Sequence, residues 1–176
     1  MTASARRFAL RAETAQAHAT LDAAVGDIAE ARAYARYLRG LHAFRAPVEQ
    51  AFAGAPGAPL AIAALIEQDM QAVGVMPQPP SPPFELPDDA SARLGIAYVL
   101  EGSALGARVL RRQAASLGLD PRHLAAQTGD PLGWAAFCAR LDSAENYDPA
   151  TAARAARSAL AVALAAFERA APGADD

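Results

Sequence analysis

The chain has 176 residues and a formal net charge of −3, enough length for one domain with a substantial core and none of the basic footprint that nucleic-acid binding needs. A single cysteine, Cys138, excludes an internal disulfide framework and fits a reducing cytoplasm. No apolar run reads as long enough to cross a bilayer and no basic-then-apolar leader opens the chain, so the expectation is a cytoplasmic protein whose partners are neither nucleic acid nor membrane.

Alanine dominates, β-branched residues are sparse and apolar positions recur every three or four residues. The reading is all-α, one multi-helix domain over 1–176, with helices at about 4–24, 29–52, 60–74, 89–118, 121–127, 131–145 and 149–170. The first helix sets Leu10, Thr14 and His18 on one face with Leu21 following, and Arg11 lies about two turns before His18. Such a histidine is either a hydrogen-bonded core residue, the commoner case, or a ligand. The second helix carries Tyr34, Leu38, Leu41, Arg45 and Val48 at helical spacing. Beside Leu41, His42 reads as a partly exposed histidine, with a second metal ligand as the alternative. Pro47 is expected to kink or divide this helix.

Met76–Pro87, MPQPPSPPFELP, holds six prolines and is expected to run as an extended, stiff connection. Three later helices open with one signature: Asp120-Pro121, Asp130-Pro131 and Asp148-Pro149 each put a capping acceptor before a proline that fits the first turn. Cys138, within WAAFCARL, reads as a buried inert thiol. In the last helix Arg154 and Arg157 share roughly one side. They are either solvated charges or partners for a carboxylate, a role arginine suits; every basic residue of this chain is an arginine.

The stretch with the sharpest chemistry is Ala97–Arg112, AYVLEGSALGARVLRR, where Gly102 and Gly106 sit four apart with Ser103 and Ala107 beside them. A glycine inside a helix costs about 1 kcal/mol relative to alanine. Two on one face therefore need an offsetting gain. The bare strip admits close approach, by another helix in the ordinary case or by a flat ligand. A histidine on one helix and a glycine-lined second helix could form the two walls of a haem pocket.

The segments LRAET…H, IEQDMQAVG and YVLEGSALGARVL, in that order from about Leu10 to Phe167, resemble the bacterial haem oxygenases, particularly the type found beside bacteriophytochromes. The resemblance implies that His18 is the axial ligand of the haem iron, with Thr14 on the same wall and Arg11, Arg154 or Arg157 facing the propionates. It makes Gly102, Ser103 and Gly106 the distal, catalytic stretch. It further implies that haem is both cofactor and substrate, opened with O2 to biliverdin with release of CO and ferrous iron. No flavin, nicotinamide or iron–sulfur motif is present in the sequence, so electrons would come from an external reductase, ferredoxin or ascorbate-type donor. A bacteriophytochrome is the conceivable acceptor of biliverdin.

Two departures from the family pattern stand out. Ser103 occupies the place where animal-type members carry an aspartate, and Gly106-Ala107 stands where many relatives have Gly-Gly. Two competing readings are a haem carrier or sensor of the same fold without turnover, and a helical interaction domain whose glycine strip only packs a neighbour.

Overall fold

The last helix is the one the others pack around, and its composition explains why. In a computed structural model that describes residues 4–79 and 81–171, seven helices follow in order: α1 (Ala5–Val25), α2 (Ala31–Phe52), α3 (Ala63–Ala72), α4 (Ala90–Ser116), α5 (Arg122–Gly129), α6 (Gly133–Ser143) and α7 (Pro149–Arg169). Among the described residues there is no strand. Pro80 of the proline-rich connection and the extreme ends of the expected 1–176 domain lie outside them.

α7 buries Ala152, Ala156, Ala159, Ala163 and Ala166 almost completely. A ridge of methyl groups lets neighbouring backbones come close, and α1, α2 and α4 all pack on it. By length and composition α7 would be able to cross a membrane, which corrects the reading that no such run exists; here it is the core helix. Two glycines mark the closest approaches. A Cβ on Gly40 of α2 would collide with the Phe167 ring, and one on Gly95 of α4 would collide with the Ala152 carbonyl. Small-residue helix crossing therefore does occur in α4, at Gly95.

Pro47 does not divide α2, which runs unbroken through it. Its missing N–H leaves the Ala43 carbonyl, one turn earlier, without its helical donor. The Ser81 hydroxyl supplies one at 3.2 Å. Ser81 belongs to the proline-rich connection, which also lends the Gln78 amide to the Ala166 carbonyl of α7 at 3.2 Å. Its described residues form neither helix nor strand, and through these two bonds it works as a strap across α2 and α7.

Of the three Asp-Pro starts, one caps as expected: Asp148 accepts from the N–H groups of Ala150 and Thr151, with Pro149 in the first turn of α7. Asp130 instead closes a turn ahead of α6, accepting from the N–H groups of Leu132 and Gly133, and the helix begins at Gly133 with Pro131 outside it. The third differs again. Asp120 takes the Arg111 guanidinium at 3.1 Å, and α5 is capped instead by Asp69 of α3, which accepts from the N–H groups of Arg122 and His123, each at 3.0 Å. His123 then donates Nδ1–H to Asp69 at 2.7 Å, leaving Nε2 to accept the Tyr37 hydroxyl at 3.1 Å. Burial pushes the Asp69 carboxyl up, yet these bonds outweigh it and hold it below the usual carboxylate range. Asp69 lies in the IEQDM segment, which thus serves α3–α5 docking.

Arg45 is a second buried junction, 1% exposed. It pairs with Glu49 at 2.6 Å and donates to the carbonyls of Leu60 and Leu100. Glu49 in turn accepts the N–H groups of Ile62 and Ala63, the start of α3. One ion pair thereby ties α2 to α3 and to the middle of α4.

Gly95→Ala should lower stability by about 2–3 kcal/mol, because its methyl meets backbone rather than a movable side chain; a chemical denaturation midpoint measures it. An unchanged midpoint would mean that α4 and α7 do not cross so closely.

Candidate functional site

α1 and α4 both pack on α7 but make little contact with each other. The face between them is where the expected residues fall. On the α1 side, the His18 ring is half-buried and meets Tyr98 of α4 edge-on, centroids 6.1 Å apart. Burial lowers the His18 pKa, and the carboxylate of Asp22 one turn on only partly opposes this. The imidazole is therefore neutral at pH 7, the form that can ligate a metal.

Tyr98, Gly102, Gly106 and Val109 follow one another at helical spacing along α4. The strip starts at the aromatic cluster of Tyr98, Trp134 and Phe137, where Trp134 and Phe137 stack at 5.5 Å. From there it opens out. A Cβ on Gly102 would sit 3.7 Å from Trp134, an ordinary contact, and one on Gly106 would meet nothing within 4 Å. Leu105 and Val109 beside it are 59% and 48% exposed. Helix crossing explains Gly95 but not Gly106. Ala107 is 1% exposed and faces the second half of the core, so its methyl is turned away from the strip.

Ser103 is exposed, but its hydroxyl donates to the Leu100 carbonyl at 2.7 Å and accepts from the Gln127 amide at 2.9 Å. Its one proton is spent inside α4. Leu100 is also the carbonyl that Arg45 reaches, so α2 fastens the helix just before Gly102 and α5 just after it.

The remaining expected residues are placed as follows. Thr14 is fully buried, its hydroxyl donating to the Leu10 carbonyl at 2.7 Å. Arg11 is exposed, seven residues and so two turns before His18 on the same side of α1. Arg157 is engaged with Glu13 at 2.9 Å, and Arg154 with the Thr151 hydroxyl at 2.9 Å. His42 faces Glu67 at 2.9 Å. No cluster of three or more metal-ligating side chains occurs among the described residues. Cys138 is half-buried and its thiol is pushed up by burial, in keeping with an unreactive group.

Sequence reasoning passed over Tyr98, Gln127 and Asp22. Tyr98 carried a signal, since it continues the Gly102–Gly106 spacing back by one turn. Asp22 stands four residues after His18. Gln127 carried none, because its partner is 24 residues away.

No family model and no curated relative matches the chain. Among solved structures, the haem oxygenase of Neisseria meningitidis, studied in NO- and CO-bound forms, superposes with a TM-score of 0.74 at 25% identity, over 98% of this chain and 96% of that one. The likeness in the residue segments and the likeness in fold point to one family, the bacterial haem oxygenases.

Open space around Gly106 predicts that Gly106→Ala gains stability, up to about 1 kcal/mol from helix propensity. Thermal denaturation beside Gly95→Ala checks this. A loss at Gly106 would show that the strip is packed after all.

Proposed function

We propose that this chain, built on the haem oxygenase fold, binds haem between α1 and α4 and degrades it. The observation that carries the reading is the uncovered Gly102–Gly106 strip of α4 beside the neutral imidazole of His18. The residues fit the group: a neutral imidazole suits iron, the Asp22 carboxylate is near enough to act on it electrostatically, and the glycine strip lies on the helix its ring meets. When bound, haem would supply the iron and the ring that O2 and external electrons convert to biliverdin, CO and ferrous iron.

The protein's part is holding and excluding. His18 would hold the iron through its neutral imidazole. Tyr98 and Trp134 close one end of the strip against water, and Gly102 and Gly106 would let a flat ring lie close to the α4 backbone. Arg11 is the first candidate for a propionate, by bidentate contact, since it shares the His18 side of α1. Arg157 or Arg154 would serve by leaving Glu13 or Thr151. Thr14 supports the wall from behind, through its bond to Leu10. Ser103 keeps an acceptor lone pair but no free proton, so it orients water by accepting. The electron donor would be an external reductase, ferredoxin or ascorbate-type reductant, and the products would serve either a bacteriophytochrome, as biliverdin, or iron supply. The committed Ser103 hydroxyl is also the observation that favours a second reading, haem carriage without turnover. Biliverdin formation from hemin and a reductant decides between them.

His18→Ala should abolish the absorption spectrum of histidine-ligated haem, and His42→Ala should leave it intact. His123→Ala should cost stability through Asp69 and Tyr37, while the folded fraction keeps the spectrum. Axial ligation by another histidine would refute the assignment.

The lowered His18 pKa also sets a pH dependence. The unfolded chain takes up this proton near its ordinary value of about 6.5, before the folded chain does. Stability should therefore fall as pH drops below about 6.5, and His18→Gln should flatten that fall. Parallel pH profiles for the two proteins would contradict the burial.

Gly106→Leu should fold normally, as leucine is the better helix former and finds open space. Its side chain would then occupy the strip, and single-turnover biliverdin formation should fail. Wild-type turnover in a stable variant would remove Gly106 from the oxygen site.

A further inference from the structure

Away from the α1–α4 face, three side chains from three helices form one hydrogen-bonded line. Tyr37 of α2 is 3% exposed, and its hydroxyl donates to His123 Nε2 of α5 at 3.1 Å. The His123 ring is 0% exposed and donates Nδ1–H to Asp69 of α3 at 2.7 Å. Asp69 divides its two oxygens. Oδ1 takes the backbone N–H and guanidinium of Arg122, and Oδ2 takes the backbone N–H and ring of His123. Tyr34 stacks on Tyr37 with ring centroids 6.3 Å apart, and the Phe167 ring lies 6.4 Å away. These rings belong to a different apolar cluster from Tyr98 and Trp134.

The four tyrosines of the chain differ in what their hydroxyls meet. That of Tyr147 is buried without a partner, and those of Tyr34 and Tyr98 make no hydrogen bond among the described residues. Tyr37 is the one that faces a base. Capping of α5 does not account for this, since it uses Asp69 and two backbone N–H groups and leaves Tyr37 out. Burial raises the Tyr37 pKa, so as an ordinary acid the phenol is inert. Loss of one electron changes that. An oxidised phenol is a strong acid, and in a dry interior the oxidation proceeds only where a base stands ready for the proton. His123 Nε2 is such a base. The carboxylate behind it fixes the tautomer and stabilises the imidazolium, as a buried aspartate does behind any general base. Burial works against the Asp69 charge, but its bonds to His123 and Arg122 hold the carboxyl below the usual range. Asp69 is therefore ionised when the proton arrives.

We propose that Tyr37 is a redox-active tyrosine, oxidised by one electron as its phenolic proton passes to His123. The electron goes to a one-electron oxidant of the radical class. The products are the neutral Tyr37 phenoxyl radical, the His123 imidazolium paired with Asp69, and the oxidant reduced by one electron. A one-electron reductant such as ascorbate reverses the step, and the proton returns from Nε2 to the phenol oxygen. The step needs no haem, so it stands or falls apart from the α1–α4 reading.

The test uses the full chain without added haem, with azidyl radical from pulse radiolysis as the oxidant. Optical absorption follows radical formation, and rapid-freeze electron paramagnetic resonance identifies the radical. The expected result is a tyrosyl signal that is lost in Tyr37→Phe and kept in Tyr98→Phe and Tyr147→Phe. Its formation should be slower in deuterium oxide than in water, because a proton moves with the electron. Glutamine can accept the Tyr37 hydrogen bond but cannot take its proton. His123→Gln should therefore slow formation at least about tenfold, the least that a positioned base contributes. A purely structural tie would leave both rates unchanged. Should His123→Gln not fold, the deuterium effect on the wild-type chain decides. The proposal is overturned by absence of a tyrosyl signal, by its survival in Tyr37→Phe, by equal rates in the two solvents, or by a wild-type rate in folded His123→Gln.

Discussion

The placement of α4 and of everything it carries depends on how closely it lies on α7. At Gly95 the two backbones approach so nearly that even a methyl group is excluded. That contact fixes where α4 starts and what direction it takes. Three residues further on comes Tyr98, against His18, and one and two turns beyond that come Gly102, in ordinary contact with Trp134, and Gly106, with nothing over it. α1 uses the same alanine-rich α7 as its support. Two helices held by a common third, and scarcely by each other, leave Gly106 with open space beside it without any loop having to make it.

The polar junctions keep α4 from sliding along α7. Arg45 reaches the Leu100 carbonyl from α2, and Gln127 reaches Ser103 from α5, so α4 is gripped on either side of Gly102. A charge as deeply buried as Arg45 is tolerable only because Glu49 and two carbonyls meet it. Glu49 then serves twice, capping the start of α3. Asp69 does the same work one helix later, capping α5 while orienting His123 toward Tyr37. In both places one carboxylate satisfies backbone donors and a cation or imidazole together, which is how a chain this rich in alanine acquires a unique register.

The division of labour among the glycines follows from their surroundings. Gly40 and Gly95 serve packing, Gly57 makes room for Arg140, and Gly106 faces open space. An interior helical glycine with no packing reason is the feature that most needs a ligand to account for it. The exposed Leu105 and Val109 on the same helix add to this, since they present apolar surface that the protein itself does not cover.

Much of this was legible in the sequence, because helices are local. Periodicity and the Asp-Pro starts placed all seven to within a few residues, and the glycine strip and the apolar face carrying His18 were visible as spacing along single helices. What periodicity leaves open is which of two equivalent partners a group chooses. Asp120 and Asp69 were both available to cap α5, and only docking of α3 selects Asp69. The gap left by Pro47 could have split α2, and only the strap carrying Ser81 closes it. Gly95 and Gly106 look alike in the sequence, eleven residues apart on one helix; α7 lies against the first and not the second. Tertiary structure decided these points because each depends on distances between residues far apart in the chain, and local spacing carries no information about them.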